Sequence, residues 1–143
     1  MTRVTRRYHF AASHRLNSAQ FTEEENRALY GKCNNPYGHG HDYTLDVTVA
    51  GPLDPNTGLV VKLPALDRLV GEQVLRDVDH RYFNADVPEF KTLVPTSENI
   101  IRVIEDRLKA RWNSVFPGGP RLEKVGLQET RKNRFESTED QAR

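Results

Sequence analysis

The chain has 143 residues, of which 36% are hydrophobic and 29% charged, and its net charge is +1. This length predicts one domain over residues 1–143 with a core that needs no disulfides, and the small net charge argues against a nucleic-acid or membrane-surface binder. The single cysteine forms no internal disulfide, and no apolar run resembles a secretory signal or reaches the roughly 20 residues of a membrane span, so we expect a cytoplasmic protein.

The first third of the chain predicts a strand, a short helix and a second strand. Residues 3–16 carry strand-forming side chains at Val4, Tyr8 and Phe10. Residues 22–31 predict a helix, with Thr22 as N-cap, acidic residues in the first turn and Gly31 after the last. In "HDYTLDVTVAG" apolar residues alternate with Thr44, Asp46 and Thr48, which is typical of a half-buried strand.

The remainder predicts two helices and a strand pair. Apolar residues recur at helical spacing between Leu66 and Val78, and a second helix begins after "PTSEN", capped by Thr96 or Ser97. The segment "FPGGP" ends that helix, residues 121–136 predict the strand pair, and residues 137–143 predict a frayed tail. This order indicates an α+β domain, in which two helices lie on one face of a four-stranded antiparallel sheet. Such a sheet has open edges, and association between subunits is one way to cover them.

Two of the five histidines begin the second strand. Residues two apart on a strand point to the same face, so His39 and His41 project together, and paired imidazoles suit zinc. A polar strand end is the alternative interpretation. A third ligand would be His9, His14 or His80; we favour His14, because an antiparallel neighbour brings it alongside the pair while His9 faces the other way.

Cys33 lies just before this pair and allows two interpretations. As a fourth ligand it would complete a closed structural zinc site. As a free thiol beside a three-histidine metal it would act as a base, and a nearby cation or metal would lower its pKa. The spacing does not decide between them.

Two acidic residues complete the candidate chemistry. Asp79 precedes His80, and a carboxylate can orient an imidazole where a turn brings the two together, although a surface loop is the simpler interpretation. Glu129 follows Val125 and Leu127 on one strand face, where it is either an edge residue or the anchor for a planar ligand with two donors.

Six motifs occur in a characteristic order: "FAASHRL", "GKCNNPYGHGHDY", "DPNTGLV", "VDH", "PTSEN" and "QETRKN". Over roughly residues 8 to 135 the sequence resembles the 6-pyruvoyl-tetrahydropterin synthase family, whose members have the tunnelling fold (T-fold). The resemblance implies that two trimers stack into a homohexamer and that their sheets join into barrels.

The resemblance also implies roles for single residues. His14, His39 and His41 match the family's zinc ligands, and Cys33 matches its catalytic thiol. Asp79 and His80 match an acid–histidine pair that a neighbouring subunit contributes for proton transfer. Glu129 matches the carboxylate that anchors the pterin and takes part in the proton relay. Thr96, Ser97 and Glu98 match the motif that lines the pterin pocket.

The implied activity is that of a carbon–oxygen lyase acting on phosphates. Family members convert 7,8-dihydroneopterin triphosphate into 6-pyruvoyl-tetrahydropterin and release triphosphate, as in tetrahydrobiopterin biosynthesis. Zinc would acidify the substrate side chain as a Lewis acid, and Cys33 would accept protons that Asp79 and His80 relay. Four basic residues are candidates for binding the triphosphate: Arg15, Lys32, Arg131 and Lys132.

The sequence departs from the family pattern after "GLV", where Lys62 replaces the usual Asn or Asp and Pro64 follows. Altered capping of the next helix is one interpretation, since proline suits a first helical turn. If Lys62 instead faced the pocket, it would change how the substrate side chain or phosphate is held.

Three other functions fit the same residues less well. The 6-carboxy-tetrahydropterin synthases of queuosine biosynthesis share fold and metal, but typically have three residues between the cysteine and "HGH", where this chain has the five residues "NNPYG". A relative that makes a hydroxymethyl pterin for folate synthesis tends to replace the thiol by an acid. A zinc-stabilised interaction module would use Cys33 as fourth ligand, but it would not need Glu129, Asp79 and His80.

Overall fold

A computed structural model describes residues 1–138, and within them five strands form one sheet in the order β3-β1-β2-β4-β5. All neighbouring strands are antiparallel except β3, which runs parallel to β1. The strands are β1 (Thr2–His14), β2 (His39–Gly51), β3 (Arg81–Tyr82), β4 (Arg121–Gln128) and β5 (Arg134–Thr138). The α+β prediction is confirmed with one more strand than expected, because β3 has only two residues and is too short to show alternation.

The first helix, α1 (Glu23–Tyr30), begins and ends where the sequence predicts. The Thr22 side chain accepts a hydrogen bond from the backbone N–H of Glu25, whose carboxylate accepts one from Thr22 in return. Such a capping box satisfies two of the unpaired donors at a helix start. Gly31 follows at φ 57°, a conformation that favours glycine, and opens a short 3₁₀ helix (Gly31–Asn34) that contains Cys33.

The remaining helical segments cover one face of the sheet. The helix predicted between Leu66 and Val78 begins three residues earlier and changes its winding, from α2 (Leu63–Val70) through a π-helical turn (Gly71–Leu75) to α3 (Arg76–Val78). Short elements follow, α4 (Phe83–Asp86) and a 3₁₀ helix (Pro88–Lys91). The long α5 (Ser97–Val115) starts after its N-cap Thr96. Buried side chains of these helices and of the sheet form one hydrophobic cluster.

The opposite face of the sheet is polar, yet its centre is covered. Asp46 and Thr48 were predicted to be exposed, but they are 4% and 2% accessible. Asp46 is paired with Arg7 at 2.9 Å and with Arg134 at 3.1 Å, and the Thr48 hydroxyl lies 2.8 Å from the hydroxyl of Thr5. Side chains from the neighbouring strands therefore bury a central strand that alternation alone describes as half exposed.

The end of the described chain differs from the predicted tail. Ser137 and Thr138 are the last residues of β5, and the rest of the predicted frayed segment lies outside the described residues. Among the helices of residues 1–138, none has the length and apolar character needed to cross a membrane.

Candidate active site

Three imidazoles meet at the end of the β1–β2 pair. The strand register places His14 directly opposite His39 and Ala12 opposite His41, so the three rings share the helix-covered face. The Nε2 atom of His39 lies 3.1 Å from that of His14 and 3.0 Å from that of His41. His9, five residues before His14, is exposed on the other face. The geometry therefore brings together the three histidines that the sequence analysis selected.

A backbone carbonyl fixes the orientation of the most buried ring. His14 is 0% accessible, and its Nδ1 lies 2.8 Å from the carbonyl oxygen of Pro95. Because a carbonyl can only accept, Nδ1 donates, and a neutral ring then presents the Nε2 lone pair to the other imidazoles. Such outer hydrogen bonds are usual for metal-ligating histidines.

Glu129 joins the imidazoles from the residue that follows β4. Its Oε1 atom lies 2.8 Å from Nε2 of His41 and 3.5 Å from Nε2 of His14, and its Oε2 accepts a hydrogen bond from the Ser97 hydroxyl. The His14 imidazole lowers the pKa of Glu129 to about 2, Ser97 acts in the same direction, and burial opposes both. Glu129 is therefore ionised over the whole neutral range.

The site's donor set fits a metal ion. In the described part of the chain, one ligand atom from each of His14, His39, His41 and Glu129 lies within 4.8 Å of the others. Ligands about 2.0–2.1 Å from a tetrahedral zinc lie about 3.3 Å apart, close to the spacing of the Nε2 atoms. Burial lowers the pKa of His39 and His41, which favours the neutral imidazole that binds metals. These residues therefore form a candidate metal centre.

Cys33 lies outside that group of four, although it is near it. Its carbonyl accepts a hydrogen bond from the Leu16 N–H at 2.8 Å, which ties the 3₁₀ helix to the end of β1. Burial raises the pKa of the partly buried thiol, and the Glu129 carboxylate acts in the same direction. Within the described chain, the Glu129 carboxylate, and not the Cys33 thiol, belongs to the group of atoms that could hold a metal ion.

Asp79 and His80 pair in a turn at the edge of the sheet, where the backbone N–H of His80 donates to the Ala11 carbonyl of β1. The Asp79 carboxylate lies 3.2 Å from Nδ1 of His80 and accepts the Ala11 N–H at 3.0 Å, while His80 has a φ of 61°. The His80 side chain is 80% accessible. It borders a cavity of about 530 Å³ that Ala11, Ser13 and His41 also line. In the described chain no hydrogen bond or ion pair joins this pair to the three imidazoles.

The predicted pocket motif at the start of α5 divides into three different environments. The Thr96 hydroxyl accepts the Asn99 N–H at 3.2 Å and caps the helix. Ser97 is buried against Glu129, and Glu98 is exposed. Of the three side chains, Ser97 is the one in contact with the imidazole and carboxylate cluster.

The atypical Lys62 lies away from this cluster. It is the exposed N-cap of α2, makes no capping hydrogen bond with its side chain, and precedes Pro64 in the first turn. It lines a groove of about 900 Å³ that also includes Arg68 and Val115. The structure thus agrees with altered capping as the effect of this departure from the family pattern.

Basic residues border a second cavity, of about 440 Å³, beside His39. Lys32 lines it together with Arg27 of α1, which sequence reasoning missed. Arg15 reaches the same region, since its Nε donates to the Asn34 carbonyl at 3.2 Å. Arg131 and Lys132 lie in the exposed turn between β4 and β5. The position of Arg27 on α1 would not have identified it, because the cavity forms only where the 3₁₀ helix brings α1 beside His39.

Comparison with known proteins identifies the family. The sequence model of the family described as 6-pyruvoyl tetrahydropterin synthase matches residues 3–140. The chain belongs to this family. It is 45% identical to the human 6-pyruvoyl tetrahydrobiopterin synthase over 130 residues, which cover 91% of this chain and 86% of the human protein. Because the relatives are named as synthases, the prediction of an enzyme is confirmed.

Solved structures agree with this assignment. The 6-pyruvoyl tetrahydropterin synthase of Caenorhabditis elegans superposes with a TM-score of 0.87 and 39% identity, over 97% of this chain and 96% of that one. The predicted T-fold is thereby confirmed. The 6-carboxy-5,6,7,8-tetrahydropterin synthase of Bacillus subtilis is 28% identical over 117 residues, which cover 80% of this chain and 74% of the bacterial protein.

The geometry predicts which histidines hold the metal. His14→Ala should lose most of its bound zinc, measured by elemental analysis of the purified protein, because a tetrahedral site loses one of its imidazoles. His9→Ala is the matched control, since it removes an imidazole from the same strand but from the opposite face, and should keep its zinc. Full zinc occupancy in His14→Ala would show that the third ligand is misassigned.

Proposed function

We propose that this chain is a zinc-dependent 6-pyruvoyl-tetrahydropterin synthase that converts 7,8-dihydroneopterin triphosphate into 6-pyruvoyl-tetrahydropterin and triphosphate, as in tetrahydrobiopterin biosynthesis. The observation that carries the proposal is the cluster of three imidazoles and Glu129 with a free thiol beside it. The named relatives at 41–45% identity support the same reaction.

His14, His39 and His41 would hold the zinc ion. When bound, zinc supplies Lewis acidity, which makes C–H and O–H groups of the substrate side chain easier to deprotonate. The Pro95 carbonyl fixes the His14 ring, so that its Nε2 atom keeps its direction. The two neighbouring imidazoles are neutral because burial lowers their pKa, and they are therefore ready to act as ligands.

Glu129 would anchor the pterin ring. Its pKa of about 2 keeps the carboxylate charged, and a charged acceptor can take two hydrogen bonds from adjacent ring donors. Ser97 holds one carboxylate oxygen and so restrains its direction. The same carboxylate contacts His41 at 2.8 Å, so it could also serve as a fourth ligand of the metal. We propose that Glu129 changes from metal ligand to pterin anchor when pterin binds.

Cys33 would be the base that takes protons from the substrate side chain. Burial and Glu129 both raise the thiol pKa, so ionisation of Cys33 requires a stabilising partner. The protons would be relayed by Asp79 and His80, whose pairing in a turn supports a joint role.

The position of His80 supports a site shared between subunits. Its ring is 80% accessible and, within the described residues, makes no hydrogen bond to the chain's own imidazoles, which leaves it available to the site of another chain. We propose the homohexamer of two stacked trimers that the family resemblance implies, with the sheets joined into barrels. Joining the sheets would also cover the edges at β3 and β5.

The cavity beside His39 would receive the triphosphate. Arg27, Lys32 and the nearby Arg15 place three positive charges around it, which suits a polyanion next to the metal centre. Arg131 and Lys132 are less well placed for this role, because they lie in an exposed turn.

The second candidate is the 6-carboxy-tetrahydropterin synthase reaction, which the 28% identical bacterial relative performs by name. The five residues between Cys33 and His39 and the higher identity to the pyruvoyl enzymes favour the first reaction. A zinc-stabilised interaction module is a weaker alternative, because the thiol lies outside the cluster it would have to complete.

The lone cysteine supports our proposal that the enzyme works in the cytoplasm.

Product identification tests the function directly. Incubation of the purified, zinc-loaded protein with 7,8-dihydroneopterin triphosphate should release inorganic triphosphate and yield 6-pyruvoyl-tetrahydropterin, detected by mass spectrometry. Formation of 6-carboxy-tetrahydropterin instead would establish the second candidate. If zinc-loaded protein forms neither product, the zinc-stabilised interaction module would be the remaining interpretation.

The Glu129→Gln variant distinguishes a role of Glu129 as pterin anchor from a role as metal ligand. The amide keeps the shape but loses the charge, so affinity for a pterin should fall by about 1.5–3 kcal/mol, the range for hydrogen bonds to charged groups. Bound zinc should change little, because three imidazoles remain. Glu123→Gln, on the β4 strand that leads to Glu129 but paired with Arg3, is the control and should bind pterin normally. Unchanged pterin affinity in folded Glu129→Gln would remove this assignment.

Mixing of inactive variants tests the shared site. Cys33→Ala should keep its zinc and lose about 10²–10⁴-fold in turnover, the usual contribution of a general base. Subunit exchange between Cys33→Ala and His80→Ala should recover activity, because some sites then combine an intact Cys33 with an intact His80. Exchange between Cys33→Ala and Glu129→Gln is the control and should recover no activity beyond that of Glu129→Gln alone, since one chain supplies both groups. Sedimentation as a fully active monomer would contradict the proposal, and loss of zinc in Cys33→Ala would make the thiol a ligand.

A further inference from the structure

A groove between α2 and the end of α5 has no part in the proposed function. Its volume is about 900 Å³, larger than the cavities of about 530 Å³ and 440 Å³ near the candidate active site. None of the residues that line it in the described chain belongs to the proposed metal, catalytic or substrate-binding set. Binding sites for small molecules usually have volumes of roughly 300–1,000 Å³. The groove is therefore large enough to hold a ligand of its own.

The groove offers an apolar surface to such a ligand. Val61 and Leu69 form its buried part, at 7% and 4% accessible, while Leu59 and Val115 remain 49% and 37% accessible. Leu63 adds a partly buried side chain. Single exposed apolar residues are ordinary, but several that share one concave surface are typical of a binding site. This surface suits a ligand with an apolar body.

Three positive charges line the same groove without partners in the protein. Lys62 precedes α2, Arg68 lies on α2 and Arg111 on α5, and none of their side chains forms an ion pair or hydrogen bond within residues 1–138. Asp67, the acid of α2, is not available to them, because it already accepts hydrogen bonds from two side chains of β1. Glu72 is the one acid among the lining residues that the structure describes. Three positive charges against one negative charge favour an anionic ligand.

Lys62 is poorly suited to its place in the helix. It is the N-cap of α2 and makes no capping hydrogen bond, whereas Asn and Asp, the usual residues at this position in the family, are strong N-caps. The start of a helix is also the positive end of its dipole, where a cation is unfavourable. Helix stability therefore does not explain Lys62, but a negatively charged ligand in the groove that it lines does.

We propose that the groove binds an amphipathic carboxylate, a small molecule with one aliphatic chain and one acidic group. The chain would pack on Leu59, Leu69 and Val115, and the carboxylate would pair with the unpartnered cations. A second copy of this chain is a less suitable occupant, because a two-fold contact through the groove would bring together the surplus positive charge of both copies. The site is separate from the candidate active site, so the inference does not depend on which pterin product is formed.

Displacement of a fluorescent probe tests the site in the wild-type protein. Anilinonaphthalene sulfonate is an amphipathic anion whose fluorescence rises in apolar surroundings, and a single molecule should bind per chain of the zinc-loaded protein. Octanoate, decanoate and dodecanoate, below their micelle concentrations, should displace it with an affinity that rises about fourfold for each added CH₂ group. Dodecyltrimethylammonium, with a similar chain but a positive head group, should displace it poorly. Inorganic triphosphate should not displace it either, because the cavity beside His39 is a different site.

Three substitutions locate the site. Leu59→Asp replaces an exposed apolar side chain by a negative charge, so it should weaken dodecanoate binding by more than about tenfold. Lys62→Asn and Arg68→Gln each remove one positive charge and should weaken it about threefold, as expected for exposed ion pairs. Lys91→Asn is the matched control, since it makes the same exchange at an exposed lysine that ends another helical segment, and it should bind dodecanoate normally.

Lys62→Asn has a second expected effect. Because asparagine is a strong N-cap, this variant should melt about 3 °C higher than the wild type while it binds dodecanoate more weakly. A general loss of structure would lower both the melting temperature and the affinity, so these opposite changes are specific to the proposed role. Melting temperature and zinc content are measured for every variant, since the probe also binds loosened proteins.

Equal displacement by dodecyltrimethylammonium, or normal dodecanoate affinity in Leu59→Asp, Lys62→Asn and Arg68→Gln, would overturn the proposal, because the groove would then not select the anion. A lower sedimentation coefficient of Leu59→Asp would also overturn it, since the groove would be a contact between copies of the chain. None of these measurements uses turnover. If the protein forms no pterin product, the proposed function fails, while the binding data still decide whether the groove takes a carboxylate.

Discussion

The site depends on the register between β1 and β2. Thirteen residues of each strand pair, from Thr2 opposite Gly51 to His14 opposite His39. A slip by one residue would turn every side chain of β1 relative to its neighbours and move His14 away from the other two imidazoles. Apolar pairs farther along the strands, including Phe10 opposite Tyr43, make such a slip unfavourable because they would leave the core. The hydrophobic core thus sets the geometry of the metal centre.

Groups from distant parts of the chain complete that centre at the open end of the strand pair. The Pro95 carbonyl precedes α5, Ser97 begins it, and Glu129 follows β4. Each of these polar groups is satisfied by another member of the cluster, which limits the unfavourable free energy of burying them. The start of α5 and the end of β4 therefore act as one support, so a shift of either element would change the orientation of His14 and Glu129 together.

Sequence reasoning predicts those parts that depend on local periodicity. The strand pattern places His14, His39 and His41 on one face, and the cap at Thr22 and the start of α5 follow from local hydrogen bonding. It could not show that Glu129 reaches the imidazoles, because alternation gives the face of a side chain and not its neighbour. Asp46 looked exposed for the same reason, since its burial depends on Arg7 and Arg134 from two other strands. Arg27 was missed because a tertiary fold, and no motif, brings α1 beside His39.

The protonation states of the cluster, taken together, favour a cation at its centre. Burial keeps His39 and His41 neutral, the surroundings keep Tyr43 protonated and raise the pKa of Cys33, and Glu129 alone is held ionised. The half-buried centre therefore carries one negative charge among lone pairs that point at a common spot. A protonated imidazole would balance this charge, but burial opposes it at two of the three rings. A divalent ion balances the charge and uses every lone pair, and the remaining positive charge then favours ionisation of a nearby thiol. A metal held by this arrangement would thus lower the thiol pKa that burial raises, and would link the candidate metal centre to the proposed base without direct coordination.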